Sequence, residues 1–389
     1  MAMFGGMLRE LRTQRGLSLS QLGRMVHYNK GYLSRVESGQ RQPSEDLARR
    51  CDDALQARGD LIAAAHIDIA AARDTKPSAT TELLRRIQAS DITEGSLSAL
   101  HATVHELCCQ YSYRDAMELR TEAHDWLREV ARVLRQPVGL HQHRELLTAA
   151  GWLALLVGCL EYDLGMRAGA EATRTAAAQL GAEAGATEIV GWSFEMSAWF
   201  ALTQGRYPAV VDAVEGGQAA DRGHSVLVQL AAQEAKSRAR MGDVPGMRAA
   251  LERGRTILDR LPVPARVDNH FVVDPAKWDF YAMDASRLAG DNENAGRYAA
   301  EVIAGGTTPD GTARWPMRLA EARLTLAVVA ARAGELEQAV NYGIQALDVP
   351  RRSLPSLMMV AGELDVELQR RYPDEAATEA FREALRAIR

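Results

Sequence analysis

Apolar residues near the amino-terminal end fall at helical spacing between short polar capping segments. Three of them recur at positions i, i+3 and i+4, namely Leu22, Met25 and Val26. This spacing predicts a short amphipathic helix that buries one apolar stripe. Ser18 and Gln21 precede the stripe in the arrangement of a capping box, which begins a helix near Leu19. We expect this helix to end near His27.

A second capping residue and a second apolar pair follow directly. Asn29 can cap a helix over residues 30–38 that buries Leu33 and Val36, and Gly39 ends it. The polar residues of this helix then face outward, namely Lys30, Tyr32, Ser34 and Arg35. Two short helices joined by a tight turn, the second carrying donors along one side, match the major groove of DNA, which admits a single α-helix.

The second helix and the turn after it supply the predicted DNA contacts. Arg35 is the expected base reader, because its planar guanidinium can bond O6 and N7 of guanine together, although a phosphate contact is the alternative. Arg41 and Gln42 are expected at the DNA backbone, and Tyr32 is either a sugar-phosphate contact or a partly buried wall. The full set of predicted DNA contacts is Ser18, Asn29, Lys30, Tyr32, Ser34, Arg35, Arg41 and Gln42.

The stretch over residues 4–66 resembles the Cro/phage-repressor class of helix-turn-helix regulators, the XRE family, in its actinobacterial form. Its landmarks are Leu8, Leu11, Arg12, Gly16, Leu17, Ser18, Leu22, Tyr32, Leu33, Ser34, Arg35, Glu37, Gly39, Pro43 and Leu47. The resemblance implies a five-helix DNA-binding domain in which Arg12 pairs with Glu37 and braces the first helix against the recognition helix. Leu19 and Gly31 depart from the family pattern at positions that are usually polar, so the target sequence does not transfer.

Length and charge indicate more than one unit. The chain has 389 residues, and 47% of them are hydrophobic, which is enough for two or more cores. Residues 1–59 hold 10 lysines and arginines against 6 acids, whereas the remainder holds 36 against 45. A basic segment on an acidic chain attracts phosphate at one end and repels it elsewhere.

The lack of a targeting pattern and the spacing of the cysteines lead us to expect a cytoplasmic protein. No run of 18 apolar residues and no charged-then-apolar leader is seen in the sequence. Four cysteines, two of them adjacent, have neither disulfide nor zinc-site spacing, which fits a reducing compartment. We therefore expect neither export nor membrane insertion.

Beyond residue 82 the pattern is helical and repetitive. Alanine, leucine, glutamate and arginine dominate and nothing alternates with period two for long, so the predicted fold class is all-α. Turns of the form small residue, glycine, polar residue recur at intervals of 40, 37, 48 and 44 residues, with glycines at Gly165, Gly205, Gly242, Gly290 and Gly334. Helical stretches flank each turn, which is typical of stacked helical hairpins.

Two further features of this region refine the organisation. Small residues stand seven places before four of the turn glycines, at Gly158, Ala198, Ala235 and Ala327, and Met283 takes that place before the other. Inserted loops over residues 262–275 and 305–316 account for the two longest spacings. The predicted domains are a DNA-binding domain over 1–73, a linker over 74–82 and a helical-repeat domain over 83–389.

The repetitive region is similar to a tetratricopeptide array, although its repeats are longer than that family's. In the family, residues 13, 10, 6 and 3 places before the turn glycine face the inner wall of a superhelix. The resemblance therefore implies a wall of Trp152, Leu155, Cys159, Tyr162, Trp192, Glu195, Trp199, Leu202, Gln229, Ala232, Lys236, Ala239, Lys277, Phe280, Asp284 and Arg287.

The wall implies a ligand with an apolar part and an acidic or carbonyl part, because it sets tryptophans near basic side chains. The predicted ligand contacts are Trp152, Tyr162, Trp192, Glu195, Trp199, Gln229, Lys236, Lys277, Phe280, Asp284 and Arg287. The alternative is that the tryptophans pack between repeats.

Signals of catalysis or metal binding are weaker. His101, His105 and Cys108 share one helical face and can present three ligands to zinc, but no fourth ligand stands nearby in the sequence. An ordinary helix is therefore the favoured interpretation. The sequence has no phosphate-cradling glycine loop, serine elbow or zincin helix. We predict no cofactor, no metal and no enzymatic activity.

Three functions remain open. The favoured one is a transcriptional regulator that senses a small molecule, since the implied wall lacks the asparagine ladder that suits an extended peptide. The second is a peptide- or protein-responsive regulator similar to cytoplasmic pheromone receptors, and the third is a non-DNA interaction scaffold. The expected partners are a double-stranded DNA operator, an effector and a second copy of the chain. The sequence does not locate the dimer contact, and the last helices, residues 354–371 and 374–388, are candidates for it because array ends need covering.

Overall fold

The computed structural model describes residues 3–75, 93–136, 138–308, 311–349 and 351–388. Within these ranges the regular elements are helices, apart from one isolated bridge between Thr307 and Ala313. The all-α prediction is confirmed. The chain divides into two compact units, Met1–Arg86 and Ile87–Arg389, which we call the head and the body. Most of the predicted linker, 76–82, lies outside the described residues, and Asp74 and Thr75 still belong to a helix of the head.

The head contains five described helices around one small core. They are α1 (Met3–Gln14), α2 (Leu19–Val26), α3 (Lys30–Glu37), α4 (Glu45–Ala54) and α5 (Asp60–Thr75). Each helix contributes apolar side chains that are withdrawn from solvent, among them Phe4, Leu8, Leu22, Leu33, Leu47 and Leu61. The five-helix expectation is therefore confirmed.

The predicted caps fix the ends of the two central helices. Ser18 and Gln21 form the full capping box, in which the Gln21 amide donates to Ser18 Oγ at 3.2 Å and the Ser18 amide donates to Gln21 Oε1 at 2.8 Å. His27 ends α2 in the left-handed conformation. Asn29 Oδ1 then accepts the amide of Tyr32 and starts α3.

The prediction that Met25 belongs to the buried apolar stripe is wrong. Leu22 and Val26 are buried, but Met25 is 49% exposed, and Gly23 takes the inner position instead. The backbone of the following turn packs closely against Gly23 and occupies the inner side of the helix at that point. A Cβ on Gly23 would meet the carbonyl oxygen of Tyr28.

The predicted brace between α1 and α3 is present. Arg12 Nε and Nη2 donate to Glu37 Oε1 and Oε2 at 2.7 and 3.0 Å, and Arg12 Nη1 donates to the carbonyl of Leu17. Gly5 permits the close approach of these helices, because a Cβ there would clash with the carbonyl oxygen of Val36. The recognition helix is thus held by a bidentate charged pair and by backbone packing.

The body is a succession of helical hairpins. Its described helices are α6 (Glu94–Gln110), α7 (Ala116–Val133), α8 (Leu140–Asp163), α9 (Arg167–Ala184), α10 (Thr187–Thr203), α11 (Tyr207–Ala220), α12 (Val226–Arg240), α13 (Val244–Leu258), α14 (Pro275–Leu288), α15 (Asn292–Gly306), α16 (Pro316–Ala333), α17 (Leu336–Leu347), α18 (Leu354–Arg371) and α19 (Ala376–Ala387). Neighbours in the sequence pack as pairs, and each pair packs on the next, as in other repeat folds.

The predicted turn glycines end the first helix of five hairpins. All five have positive φ, from 72° at Gly205 to 94° at Gly334, a conformation that side chains with a Cβ rarely adopt. The small residues seven places earlier lie at close helix contacts, and a Cβ on Gly158 would come within 2.7 Å of Met196 Cε. Met283 is fully buried despite its size. The helical-hairpin repeat is therefore confirmed.

The inserted loop between α13 and α14 crosses to the first hairpin of the body. Its His270 amide donates to the carbonyl of Cys108 on α6, and the Asn269 side chain lies 2.9 Å from Nδ1 of His105. Arg314, in the second inserted loop, pairs with Asp268 at 2.7 Å. The loop therefore links repeats that are far apart in the sequence.

The segment before α18 is tied to the other side of the body. Arg351 Nη2 donates to Asp163 Oδ2 at 2.7 Å, and its Nε donates to the carbonyl of Tyr111 at 3.1 Å. Trp199 Nε1 on α10 donates to Ser356 Oγ on α18 at 2.9 Å. These bonds hold α18 against helices that precede it by more than 150 residues.

Helix α8 is the one described helix long and apolar enough to cross a membrane by length and composition. Its most apolar stretch is 78% buried inside the body, as expected for a core helix. The surrounding helices α7, α9, α6 and α10 all pack on it.

Candidate DNA-binding surface and ligand cavity

The outer face of α3 carries the predicted donors on a rigid support. Leu33 and Val36 anchor the helix in the core, while Lys30, Ser34 and Arg35 are exposed. Arg35 Nε donates to the carbonyl of Gly31 at 3.3 Å, and no described residue pairs with its two Nη groups. This arrangement leaves a planar pair of donors available to an acceptor outside the protein.

The other predicted DNA contacts lie around this helix in different roles. Ser18 Oγ and Asn29 Oδ1 are used by the helix caps. Tyr32 is half-buried, with its ring 5.2 Å from that of Tyr28, and the Arg41 guanidinium lies 4.7 Å from the Tyr32 ring centre. Gln42 is exposed, and its Nε2 lies 3.5 Å from a backbone carbonyl of α5.

The body encloses a central cavity between the first helices of successive hairpins. The empty space is about 920 Å³, which includes the open mouth of the cavity. It is lined by Tyr111, Ser112, Glu195, Trp199, Leu202, Gln229, Gln233, Lys236, Asp268, His270, Lys277, Phe280, Tyr281, Trp315, Met317, Arg318, Glu321, Ser353, Ser356 and Met359. The inserted loop and α18 supply part of this lining.

The structure brings six of the eleven predicted ligand contacts to this cavity: Glu195, Trp199, Gln229, Lys236, Lys277 and Phe280. The other five lie elsewhere. Tyr162 is fully buried and stacks on Phe200 with ring centres 3.8 Å apart. Trp192 is fully buried beneath Phe271. The packing interpretation therefore describes Trp192, whereas Trp199 reaches the cavity.

Asp284 and Arg287 belong to an ion cluster behind the cavity wall. They pair with each other, Arg287 Nε donates to Glu363 at 3.0 Å, and Lys236 Nζ lies 3.2 Å from Asp284 Oδ2. Burial alone would raise the pKa of Asp284, but Arg287 and Lys236 together hold it well below its usual value. Both residues therefore position Lys236 and α18 and do not face the cavity.

A buried carboxylate organises one wall of the cavity. Gln229 Nε2 and Gln233 Nε2 on α12 both donate to Glu195 Oε1, at 2.8 and 2.6 Å. Burial raises the pKa of Glu195 despite these two bonds and the nearby Lys277. The wall presents the two glutamine oxygens as acceptors, because the bonds from Nε2 to the carboxylate orient both amides.

Lys277 joins the cavity to the inserted loop. Its Nζ donates to the carbonyls of His270 at 2.7 Å and Val272 at 3.0 Å, and it lies 5.4 Å from the ring centre of Trp192. Burial, together with the charge of Arg318, lowers the pKa of Lys277 to about 7. Lys277 therefore gives up its proton more readily than an exposed lysine.

Two residues on α16 complete the charged lining and were missed from the sequence. Burial raises the pKa of Glu321 to about 7 and lowers that of Arg318. Glu321 stands 13 places before Gly334, so the family spacing used for the earlier hairpins, extended by one hairpin, would have found it. The lining residues of the inserted loop have no such signal, because the loop interrupts the repeat.

The three residues of the possible zinc face have other partners. His101 Nε2 lies 2.8 Å from Glu145, His105 contacts Asn269, and Cys108 is buried. Together with Trp152 and Phe271 they line a second cavity. Among the described residues there, no group of side chains is arranged to hold a metal ion. Trp152, predicted for the ligand wall, thus faces this second cavity.

Comparison with known proteins places the head in a class. Residues 3–65 match the family model described as a helix-turn-helix domain. This match covers α1 to α4 and the start of α5, so the prediction made from the capping box and turn is confirmed. A helix-turn-helix domain reads DNA by placing its second helix in the major groove.

Comparison with solved structures and with curated proteins adds little to this assignment of the head. The Bacillus thuringiensis protein PlcR, solved in complex with the peptide PapR7 and DNA, is similar at 14% identity over 99% of each chain, with a TM-score of 0.31. A score this low supports no inference about this chain. No curated protein matches the chain significantly.

Proposed function

We propose that the protein is a sequence-specific DNA-binding transcriptional regulator whose body senses a small molecule and modulates operator binding. The observation that carries this proposal is the recognition helix α3. It is braced by the Arg12–Glu37 pair and presents Lys30, Ser34 and Arg35 to solvent on a domain of the helix-turn-helix class. In this proposal Arg35 reads a base edge.

The remaining predicted contacts take positioning roles in the proposal. Arg41, held beside the Tyr32 ring, and Gln42 are at the right place to contact phosphates next to the helix. The Ser18 and Asn29 caps orient α2 and α3, and their free donors can reach the DNA backbone. Residues 1–73 form the DNA-binding part, and residues 83–389 bind the effector and a second copy of the chain.

The central cavity supports a small molecule as the effector. Aromatic rings and a few polar side chains converge in it, and both α18 and the inserted loop contribute lining residues. The proposal is regulatory and not catalytic, with a cytoplasmic location. It includes a homodimer, because two heads about 34 Å apart would meet successive major grooves.

Selection of genomic DNA fragments retained by the purified full chain, with and without an extract of the producing cell, tests the proposal. Retention should weaken steeply between about 50 and 200 mM salt, because phosphate neutralisation releases counterions. Arg35→Ala should lower affinity for the selected fragments about 5- to 150-fold, the range of one bidentate base contact. The extract should change retention by the parent protein.

Arg9→Ala is the matched control, because Arg9 is exposed on α1 and carries the same charge. It should change affinity for selected and random fragments alike, and only slightly. Equal losses in both Arg35→Ala and Arg9→Ala would show that Arg35 acts as a charge and not as a base reader. No retained fragments under any condition would refute a DNA-binding function.

A further inference from the structure

The central cavity contains buried polar atoms that have no hydrogen-bond partner among the described residues. They are Gln229 Oε1, Gln233 Oε1, Arg318 Nη1 and Ser353 Oγ. All four side chains line the cavity. Buried polar atoms in folded proteins nearly always have partners, and these four line one cavity, where an occupant can reach all of them.

The two glutamine oxygens need a hydrogen-bond donor from an occupant. Because both glutamine Nε2 atoms donate to Glu195, the amide orientations are fixed and each Oε1 remains an acceptor. Gln229 and Gln233 are one helical turn apart on α12, so their oxygens lie on one face. Both side chains are only 5% exposed, so an occupant facing them must bring N–H or O–H groups.

Arg318 calls for an acceptor. Its guanidinium lies 4.6 Å from the ring centre of Trp315, and no carboxylate among the described residues forms an ion pair with it. Arginine stays protonated in proteins, so Nη1 keeps a hydrogen that has no acceptor inside the chain. A carbonyl or carboxylate oxygen of an occupant would supply it.

The rest of the lining combines charged and polar side chains with an apolar part. Trp199, Phe280, Tyr281, Met317 and Met359 contribute rings and thioethers to the cavity. Such surfaces hold hydrocarbon or aromatic frames, while a few polar groups fix their orientation.

We propose that the central cavity binds a small amphipathic molecule that bears both a hydrogen-bond donor and a carbonyl or carboxylate acceptor on an apolar frame. The donor, an amine, amide or hydroxyl, faces Gln229 and Gln233, and the acceptor faces Arg318. This inference rests on the proposed function, because it specifies the chemistry of the effector site.

A fragment library screened against the full chain by saturation-transfer NMR tests the inference. The library holds four sets matched for size: fragments with donors, fragments with carbonyl or carboxylate acceptors, fragments with both, and hydrocarbons and halides with neither. Fragments with both groups should bind most often and most tightly. Because Trp199 and Trp315 line the cavity, quenching of tryptophan fluorescence gives their affinities.

Two variants test the donor-binding and the acceptor-binding side chains of the cavity separately. Gln233→Leu should weaken donor-bearing fragments at least about fivefold and leave acceptor-only fragments within about twofold, and Arg318→Met should do the reverse. The exposed controls Gln338→Leu and Arg255→Met should change neither set. Circular dichroism shows whether each variant folds, and the preference of the parent protein is informative even where one does not.

Several results would overturn the inference. These are no bound fragments, hits spread evenly over the four sets, or equal losses of all sets in both cavity variants. Retention of genomic DNA is measured on the same preparations. Loss of ligand selectivity with intact DNA retention refutes this inference alone, whereas selective ligand binding without DNA retention refutes the proposed function.

Discussion

The buried pair between Arg351 and Asp163 permits a quantitative test of how α18 is held on the body. Arg351 is 3% exposed and the Asp163 side chain is inaccessible. The guanidinium donates to Asp163 Oδ2 and to the carbonyls of Tyr111 and Arg352, and the Tyr111 hydroxyl donates to the same Oδ2 at 2.7 Å. We consider the substitution Arg351→Met, which keeps the aliphatic stem and removes the charge.

The expected cost follows from what the substitution leaves behind. Asp163 keeps the Tyr111 hydroxyl as its one hydrogen-bond donor among the described residues, and its Oδ1 already has no partner. Removing one member of a buried pair costs about 3–5 kcal/mol, because the other charge stays buried without compensation. We therefore expect the unfolding free energy of the body to fall by about 4 kcal/mol. The melting temperature should fall by roughly 6 °C, because an unfolding entropy of about 2.1 cal/mol/K per residue applies over the whole body.

Tryptophan fluorescence during urea unfolding is a suitable assay, because all six tryptophans lie in the body and none in the head. Arg352→Met is the matched control, since Arg352 is exposed and contributes its backbone carbonyl to the site. The double variant Arg351→Met/Asp163→Asn should recover part of the loss, because it removes the stranded charge. A cost of Arg351→Met within about 1 kcal/mol of the control, or no recovery in the double variant, would refute the reasoning.

Three further predictions address the head, the core of the body and its pH response. Ser18→Ala should lower the opening free energy of α2 by about 1 kcal/mol, seen as faster amide hydrogen exchange in α2 of the full chain, while Ser20→Ala should leave it unchanged. Trp192→Ala should cost about 4 kcal/mol in urea unfolding followed by circular dichroism, and half-buried Trp152→Ala clearly less; equal costs would contradict the placement of Trp192 in the core. Glu321 has a pKa of about 7 in place of 4.5, so the folded state binds its proton more tightly. Its contribution to stability is complete below pH 4.5 and is lost as the pH rises through about 7, by up to about 3 kcal/mol. Glu321→Gln should therefore flatten the fall in unfolding free energy between pH 5 and 8, and parallel curves for variant and parent would count against the buried carboxyl.

Local signals in the chain were enough to predict most of the helices and their ends. The capping box at Ser18 and the turn glycine at Gly205 act within one or two turns of backbone, so the sequence alone specifies them. The Arg12–Glu37 brace was also expected, since the resemblance to a known domain carries a contact that periodicity cannot show. Met25 was misjudged because helical spacing says which side chains share a face, not how wide the buried part of that face is.

The candidate ligand site was predicted only in part, because some of its contacts join residues that lie in different repeats. Repeat spacing selected Glu195 and Lys236 correctly as cavity residues, because the first helix of each hairpin turns the same face inward. It also selected Tyr162, which the neighbouring repeat covers by stacking Phe200 on its ring. A periodic rule cannot foresee this covering, since it treats every repeat as open to the same degree.

By itself, the sequence determined a helical chain, the helix-turn-helix head and the repeating hairpins, because caps, glycine turns and amphipathic stripes are properties of short segments. Only the tertiary structure decided that the inserted loop and α18 line the cavity. Their placement depends on bonds such as Trp199 to Ser356 and Arg351 to Tyr111, whose partners are 157 and 240 residues apart. Such pairings follow from the packing of all the intervening helices, so no local pattern in the chain encodes them.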